Sequence, residues 1–95
     1  MCTKIKVVLA DDHLLVMEGF RDLLSKAPNI EVVGEAADGQ EAWEMILEHD
    51  PDVALLDIRM PEMDGVTVAR RLKQEKKRTV PLMLTSYDAR QYVLA

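Results

Sequence analysis

Asp57 follows the apolar run Val53-Ala54-Leu55-Leu56 and opens the string Asp57-Ile58-Arg59-Met60-Pro61-Glu62-Met63-Asp64-Gly65. A carboxylate at a strand's exit, on a turn punctuated by Pro61 and Gly65, is held still enough to act as a nucleophile. Two other β-like runs also end in polar side chains, at Asp11-Asp12 and at Thr85-Ser86. If these strands lie parallel, acids and hydroxyl arrive at one edge of one sheet. Converging carboxylates repel one another, and a hard divalent cation with oxygen ligands relieves that repulsion, Mg²⁺ being the natural candidate. Beside such an ion a carboxylate can attack a phosphoryl group in line, while the cation and a hydroxyl neutralise the equatorial oxygens. The product is an aspartyl phosphate.

Each piece also has a plainer reading. An acid pair after a strand commonly caps a helix or makes a turn, and threonine is frequent in strands. Pro61 and Gly65 serve as turn residues in any loop. His13 reads as a helix-start residue rather than a ligand, His49 as a solvated residue near a helix end, and the six methionines as core filling. What favours the joint reading is that acids and hydroxyl fall at matching ends of separate strands.

The elements that must position these groups follow from hydrophobic period. Lys4 to Ala10 is too continuously apolar for a half-exposed strand and reads as central in a sheet. From Leu14 to Ala27, Val16, Met17, Phe20, Leu23, Leu24 and Ala27 recur at three and four, which predicts a helix with these residues on its inner face, ended by Pro28-Asn29. Ile30 to Ala36 sets Ile30, Val32 and Gly34 against Glu31, Val33 and Glu35, the pattern of a strand nearer an edge. Asp38-Gly39-Gln40-Glu41 has capping-box spacing for a helix carrying Ala42, Trp43, Ile46 and Leu47, with Trp43 as a core anchor. A third strand is predicted over Asp52 to Asp57, a third helix over Val66 to Lys76 with Val66, Ala69 and Leu72 inward, and a fourth strand over Val80 to Thr85. Asp88 reads as the cap of a fourth helix. This βαβαβαβα order implies a parallel sheet with right-handed crossovers and helices on both faces.

Composition is that of an ordinary globular domain, with 95 residues, 48% hydrophobic, 31% charged and a net charge of −5. That charge argues against the chain itself gripping a phosphate backbone, and Arg70, Arg71, Lys73, Lys76, Lys77 and Arg78 read as a solvated helix face. Cys2 is the only cysteine, so neither an internal disulfide nor a cysteine metal cluster is available. No apolar stretch approaches the ~20 residues a membrane span needs, and no secretory segment leads the chain, so the expected location is cytoplasmic with no membrane partner.

The strings LADDH (9–13), LLDIRMPEMDG (55–65) and LMLTSYD (82–88) together resemble the receiver domain of two-component response regulators. LADDHLLVMEGFRDLL with EVVGEAADGQEA resembles the subclass whose receivers precede a LuxR-type helix-turn-helix output domain. The resemblance implies a flavodoxin-like, doubly wound α/β fold and a signalling switch in which Asp57 accepts a phosphoryl group from a sensor histidine kinase. It further implies that Asp12 binds Mg²⁺ directly (Mn²⁺ as a substitute), Asp11 through water, with the main-chain carbonyl of Arg59 and Asp57 itself as further ligands. Thr85 would bond the phosphoryl oxygens, and Arg59 and Tyr87 would flank the site and tune the lifetime of the phosphoryl group. Receivers also have a complete fourth helix, a fifth strand with a phosphate-pairing lysine, and a fifth helix, so the expectation here is a domain (1–95) shortened at its C-terminal end. Neither Lys76 nor Lys77 can take that lysine's role, because both precede the fourth strand. Impaired switching is expected from that loss, together with self-association or a homodimer through the apolar edge at Val80 to Leu84, and contact with DNA only through an output domain outside this chain. Two other readings stand beside the switch: a non-catalytic assembly module with the receiver shape, and, more weakly, a haloacid-dehalogenase-type phosphatase. The latter needs an acid two residues after its nucleophile, where this chain has Arg59.

Overall fold

The computed structural model describes residues 4–60 and 63–84. Strands β1 (Ile5–Ala10), β2 (Ile30–Ala36), β3 (Val53–Asp57) and β4 (Val80–Leu84) alternate with helices α1 (Leu14–Ser25), α2 (Gly39–His49) and α3 (Gly65–Gln74). All strand pairs are parallel, and the order across the sheet is β2-β1-β3-β4. The chain therefore moves outward from β1 to β2 and then returns to the other side of β1. That reversal opens a crevice between the carboxyl ends of β1 and β3, where ligands gather in open α/β sheets.

The expected ranks of the strands hold. Val7, Val8, Leu9 and Ala10 of the central β1 are buried, while β2 lies at an edge and stays mostly half-exposed. The main core joins Ala10, Ala36, Ala54 and Leu56 of the sheet to Ala42, Trp43 and Ile46 of α2 and to Val68 and Leu72 of α3. A buried side chain the size of leucine or isoleucine stabilises such a core by about 1.5–3 kcal/mol.

The alternation read along β2 is interrupted. Its register on β1 runs Ile5↔Ile30 and Val7↔Val32, then slips so that Val8 pairs with Gly34 and Ala10 with Ala36. Ile30 and Val32 thus share a face with Val7, whereas Gly34 and Ala36 share the α2 face with Val8 and Ala10. Glu35 consequently points away from the core, and Arg21 of α1 meets it at 3.5 Å. Helix α1 lies on the sheet face opposite α2 and α3.

All three helix faces differ somewhat from the periodicity, Leu47 of α2 being exposed although its spacing put it in the apolar stripe. On α1 only Met17 is buried; Phe20, Leu24 and Ala27 are half-buried, and Val16 and Leu23 face outward. The apolar stripe of α1 is wider than the edge strand it covers. On α3 the inward residues are Val68 and Leu72, one turn apart, with Ala69 half-buried and Val66 exposed, because the helix starts at Gly65 and its first turn rises over the strand ends.

Caps set the helix boundaries. Asp38 Oδ1 accepts the Glu41 N–H at 2.8 Å and Asp64 Oδ1 accepts the Thr67 N–H at 2.8 Å, so α2 and α3 each begin on a satisfied backbone donor. Glu41 reaches back to the N–H of Ala37, one residue before the partner a strict capping box would use. At the other end of the sheet Arg78 clamps the α2–β3 turn, donating to Asp50 Oδ2 (3.0 Å), Asp52 Oδ1 (2.6 Å) and the Asp50 carbonyl (2.6 Å). Arg71 lies over the Trp43 ring, 5.0 Å from its centre. The basic stretch is thus only partly a solvated face.

Candidate active site

Strand β1 runs into Asp11 without a break, since the Asp11 N–H donates to the Ala36 carbonyl at 3.0 Å and extends the ladder with β2 by one rung. Asp57 ends β3, and its register partner on β4 is Leu84. Neighbouring parallel strands thereby deliver Asp11 and Asp57 to the same crevice. Ligand-capable atoms of Asp11, Asp12, His13 and Asp57 all lie within 4.8 Å of one another.

The loop after Asp57 is folded back beneath it. The Gly65 N–H donates to the Ile58 carbonyl at 3.2 Å, and a Cβ at Gly65 would overlap the Asp57 carbonyl. Gly39, at the start of α2, meets the Met63 carbonyl in the same way. Glycine is required at both places by close backbone approach rather than by positive φ, since the described glycines have none. Gly65 therefore positions Asp57.

Asp57 is 2% exposed and Asp11 5% exposed, whereas Asp12 stands nearer solvent. Asp57 Oδ1 accepts a long bond (3.4 Å) from the Arg59 N–H, while its Oδ2 is buried with no hydrogen-bond partner. A buried carboxylate oxygen left unpaired is costly, so such an atom marks a place where something else is meant to bind. Burial pushes the Asp57 carboxyl above the ordinary carboxylate range, and the charge on Asp11 adds to the rise.

His13 fills the position expected of it, at the N-cap of α1, but its ring does something the sequence did not signal. It turns back over the acids, with Nδ1 2.9 Å from Asp11 Oδ1, 3.0 Å from Asp12 Oδ1 and 3.7 Å from Asp57 Oδ2. The hydrogen bond with Asp11, followed by the Asp12 charge, raises the pKa of His13. The cue was its place directly after two acids on a strand-to-helix turn. Three converging carboxylates, one of them carrying an unpaired buried oxygen, suit a hard divalent cation, which supplies the charge these groups lack. Thr85, Tyr87 and Pro61, and the expected cap Asp88, lie outside the described residues.

A family profile described as the response regulator receiver domain matches residues 7–95. Among curated proteins, the chain is 44% identical over 89 residues to the uncharacterized transcriptional regulatory protein YhcZ of Bacillus subtilis, covering 94% of this chain and 42% of that one. It is 47% identical over 85 residues to the probable transcriptional regulatory protein NarL of Mycobacterium tuberculosis, covering 90% and 39%. The chain thus spans about two fifths of the length of these relatives. The solved signal receiver domain of NarL from M. tuberculosis superposes with a TM-score of 0.87 at 46% identity, over 90% of this chain and 69% of that one.

Proposed function

This chain belongs to the response regulator receiver domain family, and from that premise we propose that Asp57 is the phosphoacceptor of a phosphorylation-dependent switch. The observation that carries this reading is Asp57 Oδ2, a buried carboxylate oxygen with no partner, facing Asp11 and Asp12 at the crevice between β1 and β3. Asp11, Asp12, Asp57 and the main-chain carbonyl of Arg59 would hold Mg²⁺, with Mn²⁺ as a substitute. When bound, the ion neutralises the gathered carboxylates and the oxygens of an incoming phosphoryl group.

The chain's own contribution is placement. Gly65 and the Ile58 turn fix the Asp57 main chain, and the Arg59 N–H holds Oδ1 of its carboxylate. A new bond forms from an Asp57 carboxylate oxygen to phosphorus as the bond to the donor breaks; for a sensor kinase that donor is a phosphohistidine, and the broken bond is P–N. The Thr85 hydroxyl would donate to a phosphoryl oxygen. A cytoplasmic setting and control of an attached DNA-binding output domain are further parts of the proposal, supported by the names of the transcriptional regulators the chain resembles.

Intact-mass analysis after incubation with a small-molecule phosphodonor tests the switch. One adduct that requires Mg²⁺ and disappears in Asp57→Asn is the expected result; folded protein that takes up no phosphoryl group overturns it. A second reading, assembly without turnover, draws on the exposure of Val80, Leu82 and Met83 along β4, one of the two edge strands among the described residues. Partner capture or self-association that ignores Asp57→Asn would favour it.

A further inference from the structure

We propose that His13 supplies a nitrogen ligand to the acidic cluster, making it a mixed nitrogen–oxygen site that prefers a first-row transition-metal dication, Mn²⁺ or Co²⁺, over Mg²⁺. The inference deepens the reading above and rests on it, since it presumes that Asp11, Asp12 and Asp57 hold a cation.

The spacing that makes His13 Nδ1 a hydrogen-bond partner of Asp11 is also the spacing of two ligands on one ion. Adjacent donors on a six-coordinate ion with bonds of ~2.1–2.2 Å stand about 3 Å apart. His13 Nδ1 lies 2.9 Å from Asp11 Oδ1 and 3.0 Å from Asp12 Oδ1, two edges of that length meeting at the imidazole. Asp57 Oδ2, at 3.7 Å from the same nitrogen, is the buried oxygen that nothing in the described chain satisfies. The nitrogen, the two carboxylates and the unpaired oxygen all lie within 4.8 Å of one another, close enough to share one ion.

The local backbone explains why the ring is available for this. His13 sits at the N-cap of α1 with extended φ −101° and ψ 109°, yet its side chain makes no capping bond to the helix. Its own N–H donates instead to Asp11 Oδ1 at 2.8 Å, which ties the turn to the acid and swings the imidazole over the crevice. A serine, threonine or aspartate at this cap would spend its side chain on the helix N–H groups. Imidazole suits the later first-row dications best, and Mn²⁺, which shares the oxygen ligands of Mg²⁺ but is a transition metal, stands between the two, whereas Mg²⁺ keeps its water, so a nitrogen here shifts the choice of metal away from Mg²⁺.

Mn²⁺ alone is the probe, added to the full chain, to His13→Ala, to His13→Asn, which keeps a good cap residue, and to Asp57→Asn. Circular dichroism establishes that each is folded. Pulsed electron paramagnetic resonance of the bound ion should show a directly coordinated ¹⁴N in the parent chain that both His13 variants lose. The ratio of Mn²⁺ to Mg²⁺ affinity should fall about tenfold in those variants. Saturable Mn²⁺ binding that Asp57→Asn weakens, but without ¹⁴N coupling, overturns the role of His13 and leaves the carboxylate site intact. A ¹⁴N signal that survives both His13 variants likewise overturns it. Failure of the parent chain to bind Mn²⁺, or binding indifferent to Asp57→Asn, removes both the inference and the cation on which it rests.

Discussion

Gly65 stands directly against the main-chain carbonyl of Asp57, with no room for a Cβ between them. The first residue of α3 is therefore a floor under the last residue of β3, and the position of the acid depends on a hydrogen atom eight residues away. Gly65→Ala should destabilise the fold by about 1–3 kcal/mol through this overlap. Gly19, in α1, has no atom within 4 Å of the corresponding position, so Gly19→Ala should stabilise by about 0.5–1 kcal/mol through helix propensity alone. Urea unfolding of the two variants, followed by circular dichroism, gives opposite shifts in midpoint if both statements hold.

Burial and the neighbouring Asp11 raise the pKa of Asp57, so in the absence of metal its ionised form opposes folding. That penalty is present above the raised pKa and fades as pH falls through it. The neutral, isosteric Asp57→Asn should accordingly stabilise the metal-free protein at pH 7, by roughly 1 kcal/mol or more. Thermal melts in chelator should show the variant unfolding at the higher temperature, and millimolar Mg²⁺ should raise the parent's midpoint more than the variant's. Equal midpoints in chelator would mean the crevice is wetter than described.

Asp52 has a lowered pKa, chiefly because Arg78 donates to it and then because the Lys6 N–H does. A depressed carboxylate contributes stability above its unfolded pKa and loses it as pH falls through the folded value. Arg78→Gln should therefore lower the melting temperature at pH 7, and the gap between variant and parent should close as pH falls below the ordinary carboxylate range, through the lowered pKa of Asp52. Melting curves between pH 2.5 and 7 test the convergence; a gap that persists at the acid end would assign the Arg78 contribution to packing of its stem.

Leu72 and Leu15 differ in environment more than in type, with 2% and 81% exposure. Leu72→Ala empties a place between α3 and the sheet and should cost about 2–5 kcal/mol. Leu15→Ala should stay within about 0.5 kcal/mol of the parent. The same pair measured by hydrogen exchange locates the effect: loss of protection in β3 and α3 is expected for the first and none for the second.

The chain's order of elements was legible because a buried parallel strand and a one-sided helix have different periods, and the cap Asp38 announces itself by spacing, while the cap Asp64 emerged only from the structure. The convergence of Asp11, Asp12 and Asp57 was equally legible once the strands were taken as parallel, since sheet order alone puts β1 beside β3. Less was readable where a residue's fate depends on what stands opposite. Val16 and Leu23 satisfy the helical period of α1 but overhang an edge strand, and Val66 lies one turn too early to reach the sheet. Arg78 belongs by sequence to a basic run and by structure to Asp50 and Asp52, 28 and 26 residues earlier. The ring of His13 was missed for the same reason: a cap position predicts a backbone angle and is silent on where an unused side chain turns.

The slip between β1 and β2 leaves Val33 between two paired residues, Val32 and Gly34, with no partner of its own on β1. In effect the strand changes reading frame there: the residues before it are spelled for the α1 side of the sheet, and Gly34 and Ala36 are spelled for the α2 side. A chain lacking any one of Val32, Val33 and Gly34 would set β2 against β1 residue for residue and keep Glu35 opposite Leu9, whereas losing a residue outside that slip would leave the extra residue in place and shift the pairing beyond it. Tolerance to shortening in this edge strand is therefore a matter of phase rather than of length.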